Sequence, residues 1–164
     1  MKTLLVLRHA KSSWNDTALD DHERPLNERG RQDGPRMGEL VRKHRLTPDI
    51  IFSSDAVRAR RTAEAVAEAA RYAGEIVLDP RLYLANPPGI LSVLRTVPET
   101  NAGTVMIVGH NPGLEELVAQ LTGEQQDLAT AALAQIGLPI DRWRDLKLTT
   151  RGRLLGQWRP KELT

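Results

Sequence analysis

Lys2-Thr3-Leu4-Leu5-Val6-Leu7-Arg8-His9-Ala10-Lys11-Ser12 is the stretch on which the reading of the fold turns. Its first six residues form a short, largely apolar run, as expected of a strand buried on both faces of a parallel sheet, and they deliver Arg8 and His9 at the strand end. In open α/β sheets, ligands bind outside the carboxyl ends of the strands. A second apolar run, Thr104-Val105-Met106-Ile107-Val108, empties into Gly109-His110-Asn111-Pro112 and repeats the order of strand, histidine and proline-started helix. Two strand-end histidines in one small chain suggest one site.

Working outward, residues 12–27 are polar and turn-rich, and Asn27 is placed to cap a helix whose apolar positions include Met37, Leu40 and Val41. Asp49-Ile50-Ile51-Phe52-Ser53-Ser54 reads as a second buried strand. The spacing of Val57, Ala63, Val66, Ala67 and Ala70 predicts a helix over 55–72, capped by Ser54 or Asp55 and stopped at Gly74. Glu75-Ile76-Val77-Leu78 is a short strand, and 89–97 is a helix with Ile90, Leu91 and Leu94 on one side, closed by Pro98. A helix then runs from Pro112 to Leu121 and ends at Gly123. Residues 131–137 and 153–158 read as strands paired antiparallel at a sheet edge. Strands alternating with helices predict an α/β fold. It is expected to be a three-layer α/β/α sandwich with a mainly parallel sheet, an antiparallel edge near the C-terminus, and one domain over 1–164.

Composition narrows the function. The 23 basic and 21 acidic groups nearly cancel, basic residues are scattered, and aromatics make up only 4%, so no nucleic-acid partner is expected. The absence of cysteine removes thiolate nucleophiles and zinc–thiolate or iron–sulfur sites. It is compatible with a cytoplasmic protein. No apolar stretch approaches the ~18 residues of a membrane span and no signal peptide is evident, so no membrane association is expected.

The predicted rim carries Arg8, His9, Ser53, Ser54, Arg58 and His110. Two imidazoles and two guanidiniums on one rim suit a tetrahedral oxyanion, because the planar arginine fork matches phosphate oxygens in pairs. One histidine can attack if its other ring nitrogen is held by a hydrogen bond, and the second can donate to the phosphoryl oxygens. No carboxylate cluster calls for a metal. His22 and His44 read as incidental, and Trp14, Trp143 and Trp158 as packing, with Trp14 beside Asn15 placed to border a substrate. Lys11 stands at the mouth or in solvent.

Three blocks carry a resemblance. Arg8-His9-Ala10-Lys11-Ser12-Ser13-Trp14-Asn15 resembles the Arg-His-Gly signature of the histidine phosphatase superfamily. The segment from Ser53-Ser54 through Arg58-Ala59 to Thr62-Ala63 resembles its second block, and Gly109-His110-Asn111-Pro112 its third. Within the superfamily, which includes the cofactor-dependent phosphoglycerate mutases, the short chain and Arg24-Pro25-Leu26 most resemble the SixA-like phosphohistidine phosphatases. The resemblance implies His9 as the phosphorylated nucleophile, Arg8 and Arg58 as phosphate clamps, His110 as the second histidine, and Ser12 and Asn15 near the phosphate. It implies hydrolysis in two displacements, without metal or other cofactor, of a phosphorylated protein (a phosphohistidine domain) or a small phosphorylated metabolite.

One departure has chemical content. Many members carry a glutamate after the third strand as the acid for the leaving group, whereas residues 81–98 contain no Asp or Glu. Imidazole, with a pKa of ~6.5, leaves without help far more readily than an alkoxide, which favours a phosphoramidate such as phosphohistidine. Asp20, Asp21 or Glu23 could supply the acid from the polar segment, and Tyr83 sits where the acid is absent. The alternatives are a non-catalytic phosphate-binding or partner-docking module and a mutase-like phosphotransferase.

Overall fold

The computed structural model describes residues 1–99 and 102–162. It contains six strands, β1 (Lys2–Arg8), β2 (Ile50–Ser53), β3 (Ile76–Leu78), β4 (Thr104–Gly109), β5 (Leu133–Leu138) and β6 (Arg153–Trp158). Four α-helices join them: α1 (Glu28–Lys43), α2 (Val57–Ala69), α3 (Pro87–Leu94) and α4 (Gly113–Thr122). The strands form one sheet in the order β3-β2-β4-β1-β5-β6. β1, β2, β3 and β4 pair in parallel, while β5 runs antiparallel to both β1 and β6. Leu5, Leu7, Ile51, Met106 and Val108 face a core shared with α1 and α2. Leu4, Val6, Phe52, Val105 and Ile107 face the other core, shared with α3 and α4. Burial on both faces explains why β1 and β4 read as unbroken apolar runs. The fold is therefore the α/β/α sandwich expected from the sequence.

The strand order creates the site. Chain leaving β1 crosses through α1 on one face to reach β2, whereas chain leaving β4 crosses through α4 on the opposite face to reach β5. The carboxyl ends of these neighbouring strands thus diverge, which is the topological switch point where open sheets leave a crevice. Register sets Arg8 opposite Gly109, so His9 and His110 emerge side by side.

Several local expectations are corrected. The helix predicted over 55–72 is shorter, and it stops because Arg71 adopts a left-handed φ of 59°, not at Gly74. Neither Ser54 nor Asp55 is its capping residue: Ala56 occupies that position without a side-chain bond. The Ser54 hydroxyl does accept from the Ala56 N–H at 3.2 Å, but it is committed chiefly to the site described below. The 89–97 helix begins two residues earlier, because the Asn86 side chain caps it by accepting from the Gly89 N–H, and it ends at Leu94. The 131–137 strand lies two residues further on at its start, since Ala131 takes a φ of 60°. Asn27 caps α1 as expected, accepting from the Gly30 N–H at 2.9 Å, and Gly123 closes α4 with a φ of 74°. Trp143 anchors the connection between β5 and β6, donating from its buried indole to the Ala102 carbonyl at 2.8 Å.

Candidate active site

His9 is buried at the exit of β1, where backbone bonds tie it to both flanking strands: its N–H donates to the Gly109 carbonyl and its carbonyl accepts from the Ala131 N–H, both at 3.0 Å. Its Nδ1 lies 2.7 Å from the Ala10 carbonyl, which can only accept, so Nδ1 carries the proton and Nε2 keeps its lone pair. Burial pushes the imidazole down to about 4, against the Ala10 hydrogen bond and with help from the charges of Arg58 and Arg8. The ring is neutral and basic at its free nitrogen at pH 7.

His110, at the exit of β4, is equally buried, and its ring centroid lies 5.2 Å from that of His9. Nε2 sits 2.8 Å from the Ser54 hydroxyl, while Nδ1 lies 3.4 Å from the Arg58 guanidinium. The guanidinium can only donate, so Nδ1 is the acceptor and Nε2–H donates to Ser54. Burial, then the nearness of His9 and Arg58, push His110 down to about 3.

Two guanidiniums flank the rings, Arg58 buried and Arg8 half-buried. Arg58, in the first turn of α2, donates to the Asp21 carbonyl at 2.6 Å and to the Asp21 carboxylate at 2.8 Å. Arg8 donates to the Leu128 carbonyl at 3.0 Å. The Nε atom of each is buried and has no partner. Unpaired guanidinium N–H groups are costly in a protein interior, and a bound anion would satisfy them. Buried Thr62 links the two halves: its hydroxyl donates to the Arg58 carbonyl at 2.7 Å and accepts from the Ala10 N–H at 2.9 Å.

The pocket at this rim measures about 560 Å³, and its lining includes Arg8, His9, Ser12, Asn15, Arg58 and His110, all singled out from the sequence. Lys11 and exposed Trp14 also line it. Asp20, Asp21 and Glu23 do not. Asp21 stands behind Arg58, accepting from it and from the Tyr83 hydroxyl at 2.5 Å and from Arg24 at 3.1 Å. Partial burial opposes its ionisation, but these bonds and the Arg58 charge outweigh burial and hold the carboxyl well below the usual range. Glu23 faces His22, which also pairs with Asp55 at 3.0 Å. The Tyr83 ring stands edge-on to His110 at 5.4 Å and to His22 at 4.9 Å, so His22 packs behind the site, while His44 lies against Trp158.

Three residues of this arrangement were missed or under-read in the sequence. Arg24 is buried in the pocket wall, donating to the Ser12 hydroxyl at 2.6 Å and stacked 3.4 Å from the Trp14 ring centre. Its only local signal was its place in Arg24-Pro25-Leu26. Ser54 and Thr62 sit on the β2 exit and α2, within the block already quoted, but only the contact with His110 and Ala10 reveals what their hydroxyls hold. Among the described residues, no group of three or more His, Asp or Glu side chains could hold a metal ion, and no helix is long and apolar enough to cross a membrane.

Comparison with known proteins bears on the family and the fold. The profile of the histidine phosphatase superfamily (branch 1) matches residues 4–83. An uncharacterized chloroplastic protein of Arabidopsis thaliana is 33% identical over 154 residues, covering 88% of this chain and 70% of that protein. A crystal structure assigned to phosphohistidine phosphatase SixA of Agrobacterium tumefaciens superposes with a TM-score of 0.82 at 30% identity, over 97% of this chain and 98% of its own. A 2,3-bisphosphoglycerate-dependent phosphoglycerate mutase of Nocardia farcinica is 40% identical over 86 residues, which are 49% of this chain and 34% of the mutase.

Proposed function

Because the chain belongs to the histidine phosphatase superfamily, we propose that it is a phosphatase that hydrolyses phosphohistidine or a small phosphoester through a phosphohistidine intermediate on His9. The observation that carries this reading is the pair of neutral imidazoles 5.2 Å apart between two guanidiniums, each with a buried Nε that has no partner among the described residues. The Nε2 lone pair of His9 attacks phosphorus in line, and the bond to the leaving group breaks with its electron pair going to that group. Water then attacks the phosphorus of the phosphohistidine, the P–N bond breaks back to neutral His9, and inorganic phosphate departs. Arg8 and Arg58 oppose the charge on the transferring group, and they are held in place before the substrate arrives. A dianion beside His110 raises its proton affinity, so that its ring can donate to the phosphoryl oxygens.

Among the described residues no carboxylate lines the pocket, and Asp21, behind Arg58, is held ionised by Tyr83 and Arg58. A phosphoimidazole already protonated on its other ring nitrogen departs as neutral imidazole with no proton from the enzyme, which favours it over an alkoxide at such a site. The similar Agrobacterium structure carries the assignment phosphohistidine phosphatase SixA, which supports the same substrate class. A phosphomutase reading draws on the likeness to phosphoglycerate mutase, but the matched part is a third of that enzyme.

The test is turnover of a phosphohistidine peptide, an aryl phosphate and an alkyl phosphate, with intact-mass measurement after alkaline quench. His9→Ala should lose ~10³-fold or more in kcat and all of the phosphorylated species, as for loss of a nucleophile. Equal turnover in His9→Ala would falsify the reading, and phosphate transfer to a second sugar or glycerate without release would favour the mutase.

A further inference from the structure

A second pocket opens beside the first and shares two of its walls, Lys11 and Thr130. It measures about 200 Å³ and lies between the first turn of α1, the segment before β5 and the segment after β6. A Cβ at Gly30 would collide with the Lys11 carbonyl, so glycine is what lets this turn of α1 settle directly on the β1 exit and brings Arg29 to the pocket that Lys11 lines.

The charge of this pocket is one-sided. Arg29, Arg159 and Lys161 join Lys11 along its walls, and the one carboxylate among the lining residues, Asp33, is buried and held by Arg29 at 3.1 Å and Arg36 at 3.7 Å. Arg159 is only loosely engaged, 3.8 Å from Glu162 and 3.5 Å from the Asp127 carbonyl. The first pocket contributes Arg8, Arg24 and Arg58 and no acid. Seven of the chain's 23 basic side chains therefore line the two adjoining pockets, against one of its 21 acidic ones. In a chain of formal net charge +2, so uneven a distribution makes one continuous positive tract.

We propose that the smaller pocket is an anion subsite, which takes a second negatively charged group, phosphate or carboxylate, borne by the same substrate whose phosphoryl group enters at His9. This rests on the phosphatase reading and deepens it: the substrate class is bis-anionic. The volume suits a single such group on a short tether, not a folded surface. Solvent-exposed charge pairs are individually weak. The subsite therefore acts through several cations together, worth about tenfold in kcat/KM at low ionic strength and fading as salt screens it.

The experiment compares propane, butane and hexane α,ω-bisphosphates with the matching hydroxyalkyl monophosphates. Beside them run phosphohistidine peptides flanked by glutamate or by glutamine. The variant is Arg159→Gln/Lys161→Gln, which alters no residue that lines the first pocket. At least one tether, or the glutamate peptide, should exceed its singly charged counterpart by about tenfold, and the double variant and added salt should both remove that advantage. Para-nitrophenyl phosphate, which lacks a second anion, should be turned over by the variant within about twofold of wild type. Whichever series shows the advantage identifies the source of the second anion. No preference in either series, or a preference that survives the double variant, overturns the subsite. If no compound is hydrolysed at all, the phosphatase reading falls instead. Calorimetry then decides the subsite on its own, where equal Kd values for bisphosphate and monophosphate overturn it.

Discussion

Lowering the pH from 7 to 5 should cost the ligand-free protein about 4 kcal/mol of stability through two side chains alone. Burial holds His9 at about 4 and His110 at about 3, whereas both titrate near 6.5 when unfolded. Both folded values lie below the unfolded one, so the unfolded chain binds more protons through this window. The stabilisation is complete above pH 6.5 and is lost as the pH falls towards the folded values. Each imidazole then contributes a loss approaching ~1.4 kcal/mol per pH unit, or about 2 kcal/mol between pH 7 and 5. Two other groups must be considered. His22 is raised by its bonds to Asp55 and Glu23 and gains stability as it protonates, but its side chain is 32% exposed and solvent screens the gain. Asp21 is held down and titrates below the window. The assay is urea unfolding at pH 7, 6 and 5 with constant m, comparing wild type with His9→Gln/His110→Gln. Wild type should lose about 4 kcal/mol over the range, less the screened gain at His22, and the double variant less than about 1 kcal/mol. A wild-type stability flat across these pH values, or an identical slope in the variant, would show that the rings are not buried and neutral as described.

Removing the Ser54 hydroxyl by Ser54→Ala leaves the buried Nε2–H of His110 unpaired, which should lower stability by about 1–3 kcal/mol and kcat more than KM; unchanged kcat would dissociate Ser54 from His110. Thr62→Val strands the Ala10 N–H, while the Arg58 carbonyl keeps its helical bond, so a loss of about 1–3 kcal/mol in urea unfolding is expected, together with reduced phosphoenzyme formation at His9. Asp21→Asn should reduce aryl and alkyl phosphate turnover by the same factor, about tenfold, because the ionised carboxylate orients Arg58; a much larger loss on the alkyl ester would assign it the proton transfer. Gly113→Ala places a Cβ against the Ala85 carbonyl, so a Tm lowered by several degrees is expected, and an unchanged Tm would refute that close approach.

The sequence by itself determined which residues stand at strand ends. Unbroken apolar runs such as Leu4-Leu5-Val6-Leu7 and Val105-Met106-Ile107-Val108 state burial on both faces, and the polar residue that ends each run must lie on the rim. Helix limits were less legible where backbone conformation departed from residue preference. Arg71 and Ala131 take left-handed φ values that glycine would have announced, and Pro35 sits within α1, where proline ordinarily argues against helix.

Only the tertiary structure decided that β4 lies beside β1, because pairing across about a hundred residues depends on crossovers through opposite helical layers and leaves no periodic trace. The same holds for the contacts that set the chemistry. A serine at the end of β2 reads as a cap until His110 is found 2.8 Å away, and the aspartate at position 21 reads as a free acid until Arg58 and Tyr83 are seen to hold it ionised. Pattern along a chain records how each segment meets water. Which segments meet one another is settled by packing, and the protonation states of this site follow from that packing.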